Sequence, residues 1–529
     1  MITNALTWLK TSHRDFPYHT ILIANCVWLS AFSANYEKLL FVQAVYSAAL
    51  VAVTAAIVLL SVLWIVLRNG RAAGVMATLI IIGVFYFGHN FDPIDGFSGG
   101  AIPAGIFQAG WIAIFSFLLY RAYAKRDNLR NMTVLLNFAT VIIALSTLLS
   151  VVPSMIRDGR VDDIAAVSAT PFPTAQDPEA RFAEYPDIYF LIVDRYADNR
   201  TLTGDFEYDN SDFLEALRQR GFYVADRSRA NYTTTGPSLA SSLNLKHLNY
   251  LSETMGPNSR NWKPIYALLQ DHEVGRFLKS RGYRYVHLGS FWEPTSYNLH
   301  ADENYDPIEA LPWPQISLNE FEWLLVEKAL PTRLFDGLGS WKRRQHFIRV
   351  QEKFRKMAAL ADEESPQFVF AHMLLPHTPF VFFEDGRYKS LDQVEAMTRE
   401  KNYVDQVIYT NEKFLELIDL LQQKSPQPII ILQADEGPHP ARFRANYAGF
   451  DWRNATDEEL KHKFRIINAM FFPDGNYQAL YPSITPVNTF PVIFNQFFGQ
   501  DIALLPDTIR AYYSFSDLYS YRDVTEATE

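Results

Sequence analysis

The pattern of apolar and polar positions divides the chain in two. Up to about residue 155 the apolar residues run together in five stretches, near 18–34, 39–67, 72–88, 105–120 and 133–153, with short polar links between them. Each is close to the roughly 20 residues that cross a bilayer, and the second is long enough to tilt or overhang. Five such runs in succession predict a transmembrane domain of five helices over residues 1–155. The first run lacks the short apolar core and small-residue cleavage site of a signal peptide, so it is expected to be retained.

Beyond a stretch with four prolines and no long apolar run, taken as a juxtamembrane linker over 156–186, the pattern alternates between strand and helix. Ile188–Val193 (IYFLIV) is apolar throughout, as in a strand covered on both faces. A helix runs from a Ser211 or Asp212 cap to a stop at Gly221, and the short stretch Phe222–Ala225 follows. Another helix opens after Thr235, and one ends at Gly282 just before a strand at Tyr283–Leu288. Further strands are expected at Phe368–Leu374, Ile429–Leu432 and Arg465–Phe472, with a long amphipathic helix over Tyr403–Gln423. Strands alternating with helices predict an α/β domain over 187–529 with a mainly parallel central sheet covered on both sides.

Charge gives the membrane part an orientation. Residues 1–152 hold 9 of the 48 Lys and Arg and 5 of the 58 Asp and Glu, which leaves 39 and 53 for the remainder. The acidic remainder excludes a nucleic-acid binder, whose phosphate contacts need the opposite sign. Lys10, Arg14, Arg68, Arg71, Arg121, Lys125, Arg126 and Arg130 fall in the tail and in the links after the second and fourth runs, whereas 89–104 has no Lys or Arg. The positive-inside rule then puts the N-terminus in the cytoplasm and the α/β domain outside it. Few charges fall within the spans, which argues against a transporter. The lone cysteine, Cys26, excludes an intramolecular disulfide and leaves no cysteine-based metal site.

Candidate chemistry gathers at the ends of the strands, where α/β sheets bind ligands. Asp194 and Arg195 follow the first strand, Asp435 and Glu436 follow Ile429–Leu432, and His372 and His377 lie in and after Phe368–Leu374. Thr235 stands at the start of a helix, where unpaired N–H groups and the helix dipole attract anions. A hydroxyl there either caps the helix or, with its pKa lowered by a metal ion, attacks a phosphate. We read it as the nucleophile. Two adjacent carboxylates at a strand end repel each other without a cation. Glu436 is thus a metal ligand, a solvated turn residue or the partner of Arg442 or Arg444.

The segments PDIYFLIVDRYAD, NYTTTGPSLASSLN, FAHMLLPHTP, ILQADEGP and SITPVNTFPVIFNQFFG resemble the sulfatase-like hydrolases and transferases of the alkaline phosphatase superfamily. The similarity is in particular to lipoteichoic acid synthases and phosphoethanolamine transferases, which join five transmembrane helices to an extracytoplasmic catalytic domain. The resemblance implies Asp194, Thr235, Asp435 and Glu436 as metal ligands, Thr235 as nucleophile, and His372 and His377 as catalytic histidines at the transferred phosphoryl group. Where the family has Asp-His-Gly, this chain has Asp435-Glu436-Gly437. Four oxygen ligands suit Mn²⁺ or Mg²⁺ better than Zn²⁺. The lack of a Cys or Ser in a C/S-x-P-x-R context at Thr235 excludes formylglycine sulfatase chemistry.

The implied activity is transfer of a phospholipid head group, of phosphoglycerol or phosphoethanolamine type, to an envelope glycan or glycolipid through a phospho-threonine. The alternatives are a phosphoester hydrolase and a metal-free pseudoenzyme that binds a glycan or a partner protein. Arg195 and His377 are assigned to the substrate. Trp292, in the aromatic segment 289–305, is assigned to it as a sugar-stacking residue or else packs in a surface loop.

Overall fold

The computed structural model describes residues 16–39, 43–98, 103–158, 185–308, 318–331, 337–364 and 366–529. Most of the expected linker, and Lys10 and Arg14, lie outside these. The chain divides into two compact units, one comprising Met1–Arg160 with Leu318–Gly339, the other Val161–Ser317 with Ser340–Glu529.

In the first unit, the helices are α1 (His19–Asn35), α2 (Gln43–Leu67), α3 (Gly70–Phe85), α4 (Phe87–Ser98), α5 (Ala104–Ala124) and α6 (Arg130–Asp158). By length and composition, three stretches among the described residues could cross a membrane: Ala48–Leu67, Ala104–Ala124 and Arg130–Ser150. α3 is apolar but shorter. Their exposed Leu, Ile, Val and Phe side chains are what a lipid-facing surface requires. Buried polar contacts tie the bundle together: His19 Nδ1 lies 2.6 Å from Thr78 Oγ1, and the His19 backbone N–H donates to Asn137 Oδ1 at 3.0 Å. A helix at Glu320–Glu327 packs Phe321 against Ala31, Leu39 and Ala48 of this unit.

The second unit is built on a seven-stranded sheet. Its strands are β1 (Ile188–Val193), β2 (Tyr223–Val224), β3 (Arg284–Leu288), β4 (Glu303–Asn304), β5 (Gln367–Met373), β6 (Ile429–Gln433) and β7 (Asn468–Phe471), in the order β2-β7-β6-β1-β5-β3-β4. β1 is parallel to both neighbours, with Ile192 opposite His372 on one side and Gln433 on the other. The sheet is parallel from β6 to β4, while β7 runs antiparallel to β6 and to the edge strand β2. All six β1 residues are buried, which is why that strand reads as an unbroken apolar run. Phe490 and Phe494 pack on the sheet face with Phe190 and Phe277, at ring separations of 5.0 and 4.2 Å. Three helices bear on the site: α7 (Thr235–Leu243), α8 (Arg399–Leu421) and α9 (Asp457–Phe464).

Candidate metal and phosphoryl site

Because β6, β1 and β5 are adjacent and parallel, their carboxyl ends bring Asp435, Asp194 and His372 together. One ligand atom from each lies within 4.8 Å of the others, and all three residues are buried. Asp194 Oδ1, both Asp435 carboxylate oxygens and His372 Nε2 have no hydrogen-bond partner among the described residues. Buried polar atoms are almost always paired, so four converging orphans of ligand type fit a divalent cation. Burial pushes the Asp435 carboxyl up to about 8, helped by Asp194 and Glu436. It pushes Asp194 up to about 7 against the pull of Arg195, and drives His372 down to about 4. Each shift disfavours a bare charge in this place. A cation would reverse that for the two carboxyls.

Thr235 is the first residue of α7, with Thr234 as the extended N-cap. It is half-buried, and its hydroxyl favours the charged form of Asp435. The helix N-terminus and the cation cluster are thus side by side.

Glu436 was expected among the ligands, but its carboxylate meets two cations, Arg195 and Lys463, and the His439 ring, which burial and those cations hold neutral. Arg195 Nε donates to Oε1 at 2.8 Å, His439 Nε2 lies 3.2 Å from the same oxygen, and Lys463 Nζ is 3.0 Å from Oε2. Burial opposes the charge, yet Lys463, His439 and Arg195 hold the carboxyl well below the usual carboxylate range. Gly437 makes the approach of Lys463 possible: a Cβ there would lie 2.7 Å from the carbonyl oxygens of His462 and Lys463. Arg195 sits in the left-handed region at φ 63°, a conformation that costs a non-glycine residue about 1 kcal/mol or more. Its carbonyl accepts the Tyr403 hydroxyl at 2.6 Å.

His377 lies outside the ligand cluster, on the wall of a cavity of about 340 Å³ that it shares with Arg195, Tyr403, His439, Arg399 and Arg444. Its Nδ1 meets the Thr378 carbonyl, and burial, reinforced by Arg195, holds the ring neutral. Among the described residues, no carboxylate lies within ion-pair distance of Arg399 or Arg444. Of the four cavity acids, Asp205, Glu458 and Glu459 are paired with His462, Lys461 and Arg442, while Glu400 adjoins Arg399 and is near enough to favour its charge. Trp292 does not line this cavity; it stands edge-on to His372, with ring centroids 6.3 Å apart. Sequence reasoning passed over His439, Lys463 and Thr295. Only His439 left a trace, three positions after Glu436.

A protein-family model described as Sulfatase matches residues 186–519. No curated protein sequence matches the chain. Among solved structures, it is similar to the C-terminal periplasmic domain of EcEptC from Escherichia coli, with 14% identity over 67% of this chain and 96% of that one and a TM-score of 0.42. It is also similar to the soluble domain of lipooligosaccharide phosphoethanolamine transferase A from Neisseria meningitidis, with 14% identity over 61% and 93% and a TM-score of 0.37. The integral membrane form of that transferase gives 14% identity over 90% and 95%, with a TM-score of 0.37.

Proposed function

The chain belongs to the sulfatase family, and from that premise we propose that it is a membrane-bound, metal-dependent phosphotransferase. It moves a phospholipid head group, of phosphoglycerol or phosphoethanolamine type, onto an envelope glycan or glycolipid. The observation that carries this reading is the set of orphaned atoms on Asp194, His372 and Asp435 beside a threonine that opens a helix.

Asp194, His372 and Asp435 hold the cation, with Thr235 completing the set. When bound, the cation supplies the positive charge that favours the Thr235 alkoxide. Because one ligand is an imidazole nitrogen, the set suits Zn²⁺ as well as Mn²⁺, and the all-oxygen argument for Mn²⁺ or Mg²⁺ lapses. Glu436 serves as the anionic anchor for Arg195 and Lys463, so the departure from Asp-His-Gly does not abolish the site.

Thr235 Oγ1 attacks the phosphorus, the bond to the diacylglycerol oxygen breaks, and the head group stays on Thr235 as a phosphodiester. The N–H groups that open α7 and the Arg195 guanidinium face the growing negative charge. His377 Nδ1–H donates to the Thr378 carbonyl, so Nε2 is left as the proton acceptor. It takes the Thr235 proton and passes it to the departing diacylglycerol oxygen; in the second step it takes the proton of the incoming acceptor hydroxyl, whose oxygen bonds to phosphorus as the Thr235 Oγ1–P bond breaks, and returns it to Oγ1. Arg399 and Arg444 make the adjoining cavity suited to an anionic part of the substrate.

The test is to incubate the full-length protein in detergent with phosphatidylglycerol or phosphatidylethanolamine vesicles and divalent metal. Diacylglycerol release and the mass of the Thr235 peptide are then followed. Release from one lipid together with a head-group phosphate adduct on Thr235 is expected. An adduct that water clears without an added acceptor points to the hydrolase. The absence of both release and bound metal overturns the enzyme reading.

A further inference from the structure

The loop Gly289–Ser296, singled out in the sequence only for its aromatics, is built around one hydroxyl. Thr295 Oγ1 lies 2.8 Å from His372 Nδ1 and 2.8 Å from Ser290 Oγ, and all three residues are buried. Ser290 Oγ in turn accepts the Trp292 N–H at 3.0 Å. The Thr295 main chain is held as firmly: its carbonyl accepts the Ser290 N–H at 3.0 Å and its N–H donates to the Trp292 carbonyl at 3.1 Å. Gly289 lets this loop close, since a Cβ there would sit 2.4 Å from the Thr295 carbonyl oxygen and 2.3 Å from that of Ser296.

A histidine chain from the core fixes the same carbonyl, and its proton positions follow from one backbone donor. The Gly275 N–H donates to His272 Nδ1 at 2.9 Å, so in the neutral ring Nε2 carries the proton and faces the Tyr285 hydroxyl at 3.3 Å. Tyr285 then donates to His287 Nδ1 at 3.1 Å, which leaves His287 Nε2–H to donate to the Thr295 carbonyl at 2.9 Å. Every hydrogen bond in this run has one direction.

We propose that Thr295 is a positioning residue for His372: its Oγ1 accepts the Nδ1–H and thereby turns the Nε2 lone pair toward Asp194 and Asp435 for a divalent cation. His372 Nε2 has no hydrogen-bond partner, and the nearest recorded carboxylate oxygen, Asp194 Oδ2, is 3.7 Å away. A proton there would be a buried, unpaired N–H, which proteins avoid more strictly than an unpaired acceptor. With Nδ1–H donating, the Thr295 hydroxyl donates onward to Ser290 Oγ. Partners of this kind, one bond removed from the metal, set ligand tautomer and commonly change affinity 10–100-fold when lost.

The inference rests on the metal reading above, and its test separates the two. Mn²⁺ affinity of the full-length protein in detergent is measured by calorimetry for wild type, Thr295→Val, Thr295→Ser and His372→Ala. The valine variant, of equal shape, is expected to bind about 10–100-fold more weakly, with serine restoring affinity to within a few-fold. ¹⁵N NMR of the metal-free wild type is expected to show His372 protonated on Nδ1. Should the valine variant fail to fold, Ser290→Ala takes its place, with a loss of a few-fold. Unchanged affinity in Thr295→Val beside a large loss in His372→Ala overturns the Thr295 role alone. Binding of neither Mn²⁺ nor Zn²⁺ by the wild type overturns the metal reading and this inference with it.

Discussion

Lys463 Nζ stands 3.0 Å from Glu436 Oε2, with 0% and 1% of the two side chains exposed. Burial brings the Lys463 ammonium down to about 8, against the pull of Glu436. Neither charge is affordable here without the other. Removing one member of a buried ion pair typically costs about 3–5 kcal/mol, since the partner is left uncompensated. Glu436→Ala should therefore lower the free energy of unfolding by about that amount in urea titrations. Because Glu436 faces cations, the variant should keep metal affinity within about tenfold of wild type, well short of the loss of a ligand. Complete loss of metal from a variant that still folds would return Glu436 to the ligand set.

The ligand triad should behave in the opposite way. Asp194→Asn and Asp435→Asn keep shape but remove charges that burial already disfavours. Each should bind metal at least about 100-fold more weakly by equilibrium dialysis while the metal-free protein unfolds at the same temperature as wild type or higher. A variant that loses stability and keeps its metal contradicts the assignment.

Thr235→Ala should lower turnover about 10³-fold or more and abolish the covalent adduct, with metal still bound by the triad. Thr235→Ser keeps an oxygen nucleophile and should retain both adduct and measurable turnover. Mass spectrometry of the peptide that spans α7 decides. An adduct that persists in the alanine variant moves the nucleophile elsewhere.

Three histidines away from the metal set the acid limit. Burial holds His272, His287 and His346 neutral, each with a pKa near 3 (about 3, about 3 and about 3). The unfolded chain takes up their protons below about 6.5 and the folded one does not. Each therefore withdraws stability as pH falls from about 6.5 toward 3, roughly 2 kcal/mol apiece by pH 5. The site carboxyls, with raised pKa values, act in the opposite sense, so the measurement belongs in the Asp194→Asn/Asp435→Asn double variant. Urea midpoints there should drop steeply between pH 7 and pH 5, and His272→Gln should remove about one proton from the slope. A flat profile sinks the claim.

Much of the fold was legible because burial on both faces writes itself into composition. β1, β5 and β6 are mostly apolar runs, and the residues at their carboxyl ends, Asp194, His372 and Asp435, form the candidate site. β7 also read as a strand, but nothing in its composition gave its antiparallel direction. The two-residue β4 is too short to leave any period. At the site, adjacency in sequence does not give surroundings: Glu436 follows Asp435, yet Glu436 meets Arg195 and Lys463 while Asp435 faces Asp194 and His372. His372 could be placed on the strand, but whether its ring joined the carboxylates depended on which strands were neighbours. Lys463 and Thr295 reach the site from far along the chain, and no local pattern marks a side chain that acts only through distant packing.

The last question is how many helices cross the membrane. The apolar pattern gives five, whereas among the described residues three helices are long and apolar enough by length and composition. Both numbers are odd, so both put the C-terminal unit on the far side from the N-terminus, and a reporter at the C-terminus cannot tell them apart. The link at Arg68 can. With a cytoplasmic N-terminus, two crossings before it return the chain to the cytoplasm, and one crossing leaves it outside. Arg68 and Arg71 favour the cytoplasm, hence five. The lone native thiol, Cys26, is fully buried, so single introduced cysteines can be read with a membrane-impermeant maleimide in intact cells. Ala479→Cys, at an exposed position, should label from outside and Lys125→Cys only after lysis. Arg68→Cys should be protected until lysis. If it labels from outside while the other two behave as stated, α1 and α3 do not cross and the bundle has three spans. If Ala479→Cys is itself protected, the catalytic unit faces the cytoplasm, and the extracytoplasmic lipid chemistry argued above fails with it.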